Sequence, residues 1–273
     1  MSLDIRTAVI TAAGVYLVIA LVFLFSNRKK ERPFPGEGHW ALGFGLIFLS
    51  QVLIGLRGMV PPAISIIVGN ILAVLGIAGL AAGTEIFLGR KPALALYGAL
   101  TALAFVVFVA FGYVHPDALW RVLGMNLAIA SILIACGLRI RHHTIKDLED
   151  KARWTSALLL LIAFLFLART AMLPQVNRAN WLFSGWPEAA ILIVLTASFQ
   201  GLAFLYSRLV ALRLRGELDE SLAEREFLLR EMHHRTKNEL ALVQSILRLE
   251  SADASALPGL AERLEAVGAR VRS

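Results

Sequence analysis

Seven long apolar runs separated by short polar loops fill the first 207 residues of the chain, and a charged tail follows them. A helix needs about 20 apolar residues to cross a bilayer. Residues 5–25, 39–56, 64–88, 94–113, 119–138, 154–173 and 187–206 approach or reach that length, and 39–56 is the short, glycine-rich one. Backbone polar groups facing lipid must bond within their own segment, so each run predicts a helix. Beyond the last run, residues 209–230 are rich in Leu, Arg and Glu, with Gly216 as their one glycine and no proline. That pattern predicts a continuous helix leaving the membrane, with an imperfect heptad. Met232, Thr236, Leu240, Val243 and Leu247 then recur at steps of three and four, which makes one mostly apolar stripe. Residues 251–259, with Pro258 and Gly259, predict a break, and Leu260, Leu264, Val267 and Val271 form a second stripe. Two such helices joined by a short loop read as an antiparallel hairpin. One apolar face per hairpin needs a partner, so a second copy completes a four-helix bundle and predicts a homodimer. The expected fold is all-α, with a polytopic membrane bundle of about seven spans (1–207), a signalling helix (208–228) and a cytoplasmic hairpin (229–273).

Composition agrees with that division. The chain has 273 residues, 58% hydrophobic and 17% charged, against about 25% charged in an ordinary soluble domain. The formal net charge of +7 raises nucleic acid as a partner, but most cations lie in short loops between apolar runs. There they act as orientation signals, and no nucleic-acid partner is expected. Arg28, Lys29, Lys30 and Arg32 follow span one; Arg90 and Lys91 follow span three. Arg139, Arg141, Lys146, Lys151 and Arg153 follow span five, and Arg208, Arg213 and Arg215 follow span seven. The alternate side holds only Arg6, Arg57, Arg121 and Arg178. The N-terminus is therefore expected outside and the tail in the cytoplasm. Trp40 and Trp154 are expected at the inner interface, and Trp120, Trp181 and Trp186 at the outer one. Cys136 is the only cysteine, so no intrachain disulfide forms. The first run lacks a basic stretch before it and a cleavage site after it, so it reads as a retained helix. Gly79 and Gly83 form a small-xxx-small pair that predicts close helix packing.

Polar residues inside spans or at their ends point to function. Arg57, Asn70, Asn126 and Arg169 fall in the outer half of this topology and are candidates to line an outward pocket for an anionic or polar ligand. The plainer reading is that the arginines snorkel and the asparagines bond between helices. Glu85 is expected to pair with Arg90 or Lys91. His142 and His143 sit in a loop with no further clustered ligand, so no metal site is expected.

The richest chemistry lies in the tail, at His234-Arg235-Thr236-Lys237-Asn238. His234 follows Met232 by two residues, about 200° around a helix, and so points away from the apolar stripe. An exposed neutral imidazole is a fair nucleophile near neutral pH and can accept and pass on a phosphoryl group. Asn238 lies one turn on along the same face, where its amide can position a water or a phosphoryl oxygen. Lys237 shares that face and attracts phosphate or an acidic partner, and Arg235 adds a cation turned toward the flank. For a lone histidine the better reading is an ordinary solvated face. Four fixed residues in this pattern arise by chance roughly once in 600 chains of this length, which favours the functional reading.

The stretch EMHHRTKNELALVQSI at 231–246 resembles the dimerisation and phosphoacceptor segment of HRxKN-type sensor histidine kinases, and its continuation leans toward the HWE group. Thr236 replaces the commoner valine, and Glu239 differs from the usual residue after the asparagine. The resemblance covers about the last fifth of the chain. It implies that His234 is phosphorylated, with Arg235, Lys237 and Asn238 as its motif neighbours. It also implies a protein histidine kinase that passes phosphate to a response-regulator aspartate in a bacterial two-component system. ATP and Mg²⁺ would serve the full kinase, bound by a domain that the family places after the hairpin and this chain does not contain; the chain by itself is then expected to be inactive. The region 38–90 has the general look of multi-helix sensor modules of bacterial signalling proteins. The implied location is the bacterial inner membrane, with the lipid bilayer, a response regulator and an unknown stimulus ligand as partners. The competing readings are a polytopic transporter or channel whose cytoplasmic hairpin only dimerises, and a receptor subunit that recruits partners through the hairpin.

Overall fold

The computed structural model describes residues 5–28, 34–141, 148–170, 186–253, 265–266 and 269. All of the long elements are helices: α1 (Ile5–Arg28), α2 (Glu37–Gly55), α3 (Gly69–Phe87), α4 (Leu94–Val109), α5 (Ala118–Arg141), α6 (Glu149–Arg169) and α7 (Trp186–Asp253). Two short π-helical segments, π1 (Ala63–Val68) and π2 (Ala110–Val114), precede α3 and extend α4. Among the described residues there is no strand beyond a single bridge between Arg57 and Val60. The fold is all-α, and seven helices are long and apolar enough to cross a membrane. The chain forms two compact units, Met1–Ala211 and Leu212–Ser273.

Turn chemistry sets the helix ends. Gly36 precedes α2 at φ 93°, and Gly89 follows α3 at φ 78°, a region that L side chains avoid. After α3 the Gly89 amide donates to the Ile86 carbonyl at 3.0 Å and the Arg90 amide to the Glu85 carbonyl at 2.7 Å. This is a Schellman cap, which satisfies carbonyls at a helix end. Asp117 caps α5, its carboxylate accepting the Leu119 amide at 2.8 Å.

Within the first unit, α2 and α3 pack through a glycine seam. A Cβ on Gly43 would stand 2.8 Å from the Gly76 carbonyl oxygen, and one on Gly83 would stand 2.8 Å from that of Gly36. The expected close packing at Gly79 and Gly83 is present, and Gly43 and Gly76 make the seam tighter still. At one end of the unit, Trp40 stacks on Tyr206 at 4.2 Å and its indole N–H donates to the Thr84 hydroxyl at 3.3 Å. Thr84 and Tyr206 share a hydrogen bond of 2.6 Å. Trp40 is fully buried, and its ring packs on aromatic partners from α1, α3 and α7.

Glu85 is also completely buried. It pairs with Arg139 Nε at 2.5 Å and accepts the Ala93 amide at 2.8 Å. The expected pairing with Arg90 or Lys91 gives way to one with α5. The Lys91 carbonyl instead accepts Arg139 Nη2 at 2.9 Å. α7 runs through Asp253, so residues 251–253 of the expected break are helical, and residues 254–259 of it lie outside the described residues. Lys29, Lys30, Arg32, His142, His143, Lys146, Arg178, Trp181 and the second stripe at Leu260, Leu264, Val267 and Val271 lie outside the described residues.

Candidate functional site

Two places carry chemistry, one in each unit. In the second, α7 presents His233, His234, Thr236, Lys237 and Asn238 exposed. Nothing interrupts the helix there: no proline or glycine occurs between Glu217 and Asp253. Arg235 forms an ion pair with Glu231 one turn back, the flank position that the helical period implies. Met232, Leu240 and Val243, on the apolar stripe, are exposed as well. The imidazole of His234 is therefore open to a large reaction partner, with an ammonium and an amide about one turn away on the same helix.

In the first unit, a cavity of about 50 Å³ is lined by Gln51, Arg57, Asn70, Arg121 and Arg169 together with apolar side chains. Three of the four residues expected to line a pocket, Arg57, Asn70 and Arg169, share it. Asn126 does not line it: it is fully buried, and its side-chain oxygen accepts Arg169 Nη1 at 3.1 Å. Arg169 also forms an ion pair with Glu188 on α7, its Nε donating to Oε1 at 2.8 Å. Both members of that pair are 3% exposed, so Arg169 does not snorkel.

The π-segments hold the other pocket cations. Arg57 Nη2 donates to the Ser65 carbonyl of π1 at 3.4 Å, and Arg121 Nη1 donates to the Phe111 carbonyl of π2 at 3.0 Å. Asn70 Nδ2 donates to the Ile66 carbonyl, also in π1, at 2.5 Å. Wide helical turns occur often at functional sites, and here each one anchors a polar pocket side chain. Burial, and then the nearby Arg121 charge, pushes the Arg57 guanidinium down to about 10.

Sequence reasoning missed Arg121, Gln51 and Glu188 as parts of this place. The signal for Arg121 was present: it shares the outer set with Arg57, which the same pattern places at that end. Glu188 is the acid in the first turn of the last apolar helix, where a carboxylate needs a cation if it is buried.

The second unit thus carries an exposed imidazole, an ammonium and an amide within about one turn of a solvent-facing helix. Comparison with known families makes this specific: residues 231–272 match the model of the HWE histidine kinase family. That segment is of the HWE histidine kinase type, with His234 and the whole HRxKN pattern inside the match. No curated protein and no solved structure matches this chain.

Proposed function

We propose that this chain is the sensing and phosphoacceptor portion of a membrane sensor histidine kinase, phosphorylated on His234. The observation that carries the reading is the HWE histidine kinase match over 231–272, with His234 exposed on α7. The imidazole nitrogen attacks the γ-phosphorus of ATP, an N–P bond forms and ADP leaves. A response-regulator aspartate then attacks the same phosphorus, and His234 is restored. Asn238 and Lys237 position the phosphoryl oxygens and the acidic partner, and Arg235 is held at the flank by Glu231. Phosphoryl transfer depends on positioning, so a small change in how His234 is presented switches it. A single exposed helix offers no enclosed cradle for a nucleotide. Mg-ATP is therefore assigned, in this reading, to a separate catalytic domain of the kinase.

The seven apolar helices support a multi-pass protein of a bacterial inner membrane. The distribution of lysine and arginine places the N-terminus outside and the tail in the cytoplasm. The membrane half is the sensor, with Arg57, Asn70 and Arg169 lining its ligand cavity and Asn126 supporting Arg169 from behind. The exposed stripe through Met232, Leu240 and Val243 pairs with a second copy of the chain. The domains are the sensor (1–207), the signalling helix (208–228) and the phosphoacceptor hairpin (229–273).

The test is phosphotransfer in trans. The chain is mixed with radiolabelled ATP, Mg²⁺ and a supplied HWE-type catalytic domain. Label that is labile to acid and stable to alkali is expected, with a loss of at least a hundredfold in His234→Gln. Label that persists in His234→Gln would refute the assignment. So would incorporation of equal size when the catalytic domain is left out.

A further inference from the structure

We infer that the cavity in the first unit binds a small amphipathic monoanion, its carboxylate between Arg57 and Arg121 and its apolar body in an adjoining chamber. The inference deepens the sensor reading and rests on it for its meaning in signalling. The binding chemistry itself rests on the cavity.

Charge is the first argument. Three guanidinium groups line one small cavity. Arg169 is balanced by Glu188. Among the described residues, no carboxylate lies within ion-pair distance of Arg57 or Arg121. Asp117 is the acid whose charge Arg121 senses, and it is engaged in capping α5. Each of the two arginines has a single carbonyl partner, Ser65 for Arg57 and Phe111 for Arg121. Arg57 Nε is buried without any hydrogen-bond partner. A guanidinium carries five donors, so donors remain on both. Arg57 also stays protonated at neutral pH with its pKa near 10. Two like charges thus share a cavity, and an anion between them relieves their repulsion while accepting the donors left over.

Shape is the second argument. A further cavity of about 50 Å³ adjoins the first and shares Gln51, Met125, Arg169 and Leu192 with it. Its other walls are mostly apolar, with Ile47, Ile77, Ile129, Phe166 and Phe199 among them. At roughly 10–15 Å³ of such space per water, each part holds only a few waters. The pair suits a body of a few carbons, such as a short-chain or aromatic carboxylate, and excludes a two-chain lipid. An inorganic anion would fill the charged part and leave the apolar part empty. Leu192 and Glu188 are α7 residues, so the occupant touches the helix that also carries His234.

The test uses the full chain in nanodiscs of phosphatidylcholine. Binding of sodium hexanoate is measured by calorimetry and by the shift of the thermal midpoint. Acetate supplies the head alone and 1-hexanol the body alone. The expected result is saturable hexanoate binding, with acetate and 1-hexanol each at least tenfold weaker. Arg57→Gln and Arg121→Gln are each expected to weaken hexanoate tenfold or more. Ile77→Phe fills the apolar part and keeps both charges; it is expected to weaken hexanoate about tenfold and leave acetate unchanged. This variant and the three-probe comparison on the unaltered chain decide the matter if an arginine variant does not fold. Equal binding of hexanoate and 1-hexanol would overturn the inference, and so would equal binding of hexanoate and acetate. Displacement of hexanoate by phosphatidylglycerol added to the nanodisc would assign the site to a lipid headgroup and overturn it too. None of these arms reads phosphorylation, so their failure leaves His234 as it stands, and failure at His234 leaves the binding result intact.

Discussion

At the scale of the residue, partners decide what a charged side chain does. Glu85 has two cations close by in sequence, yet it pairs with Arg139, 54 residues away. The reason is the glycine cap: Gly89 turns the backbone at φ 78°, and Glu85 is left buried against α5. Removing the arginine strands that carboxylate, whereas glutamine at 85 still accepts the Ala93 amide. Arg139→Met is expected to cost about 2–3 kcal/mol, and Glu85→Gln about 1 kcal/mol. The arginine side chain is 41% exposed, which keeps its cost below that of a fully buried pair. Unfolding of the purified protein in a graded series of SDS mole fractions checks both the order and the size. What the sequence made legible here follows the same line. The outward direction of His234 comes from local period alone and was readable. That Arg57, Asn70 and Arg169 meet was readable from their shared end of the topology. Which of them Asn126 would serve was not, because its bond to Arg169 joins α5 to α6 and depends on helix rotation.

At the scale of the element, the seven apolar helices were legible because length and hydropathy fix them without knowledge of neighbours. The two π-segments were not: one extra residue in a turn barely alters the apolar pattern. The glycine seam was half legible. Gly79 and Gly83 show a spacing, but the residues facing them depend on the register between α2 and α3. Gly76 is the sharpest test, since a Cβ there would stand 2.7 Å from the Gly43 carbonyl oxygen and 2.7 Å from Ile47 Cγ1. Gly76→Ala is expected to destabilise the bundle by about 1–3 kcal/mol. Gly14→Ala on α1 meets nothing within 4 Å and is expected to be neutral, or stabilising by up to about 1 kcal/mol. The same SDS titration compares the pair.

At the scale of the whole molecule, the second unit leaves its apolar stripe uncovered. Met232 is 63%, Leu240 40% and Val243 47% exposed. Burying such side chains contributes about 1.5–3 kcal/mol each, which is enough to drive the proposed pairing of two copies. The double variant Leu240→Asp, Val243→Asp is expected to raise the dimer dissociation constant at least a hundredfold, about 3 kcal/mol. Sedimentation of the detergent-solubilised chain measures it, and an unchanged dimer would place the contact elsewhere. The bundle has one more consequence, for anyone who needs to watch it move. Cys136 is completely buried, its Sγ turned to the Ala81 carbonyl at 3.6 Å, and a thiol without access to solvent stays inert. The folded protein is thus a ready background for maleimide dyes and spin labels. A cysteine introduced at any exposed position will carry the probe alone, with no native thiol to remove first.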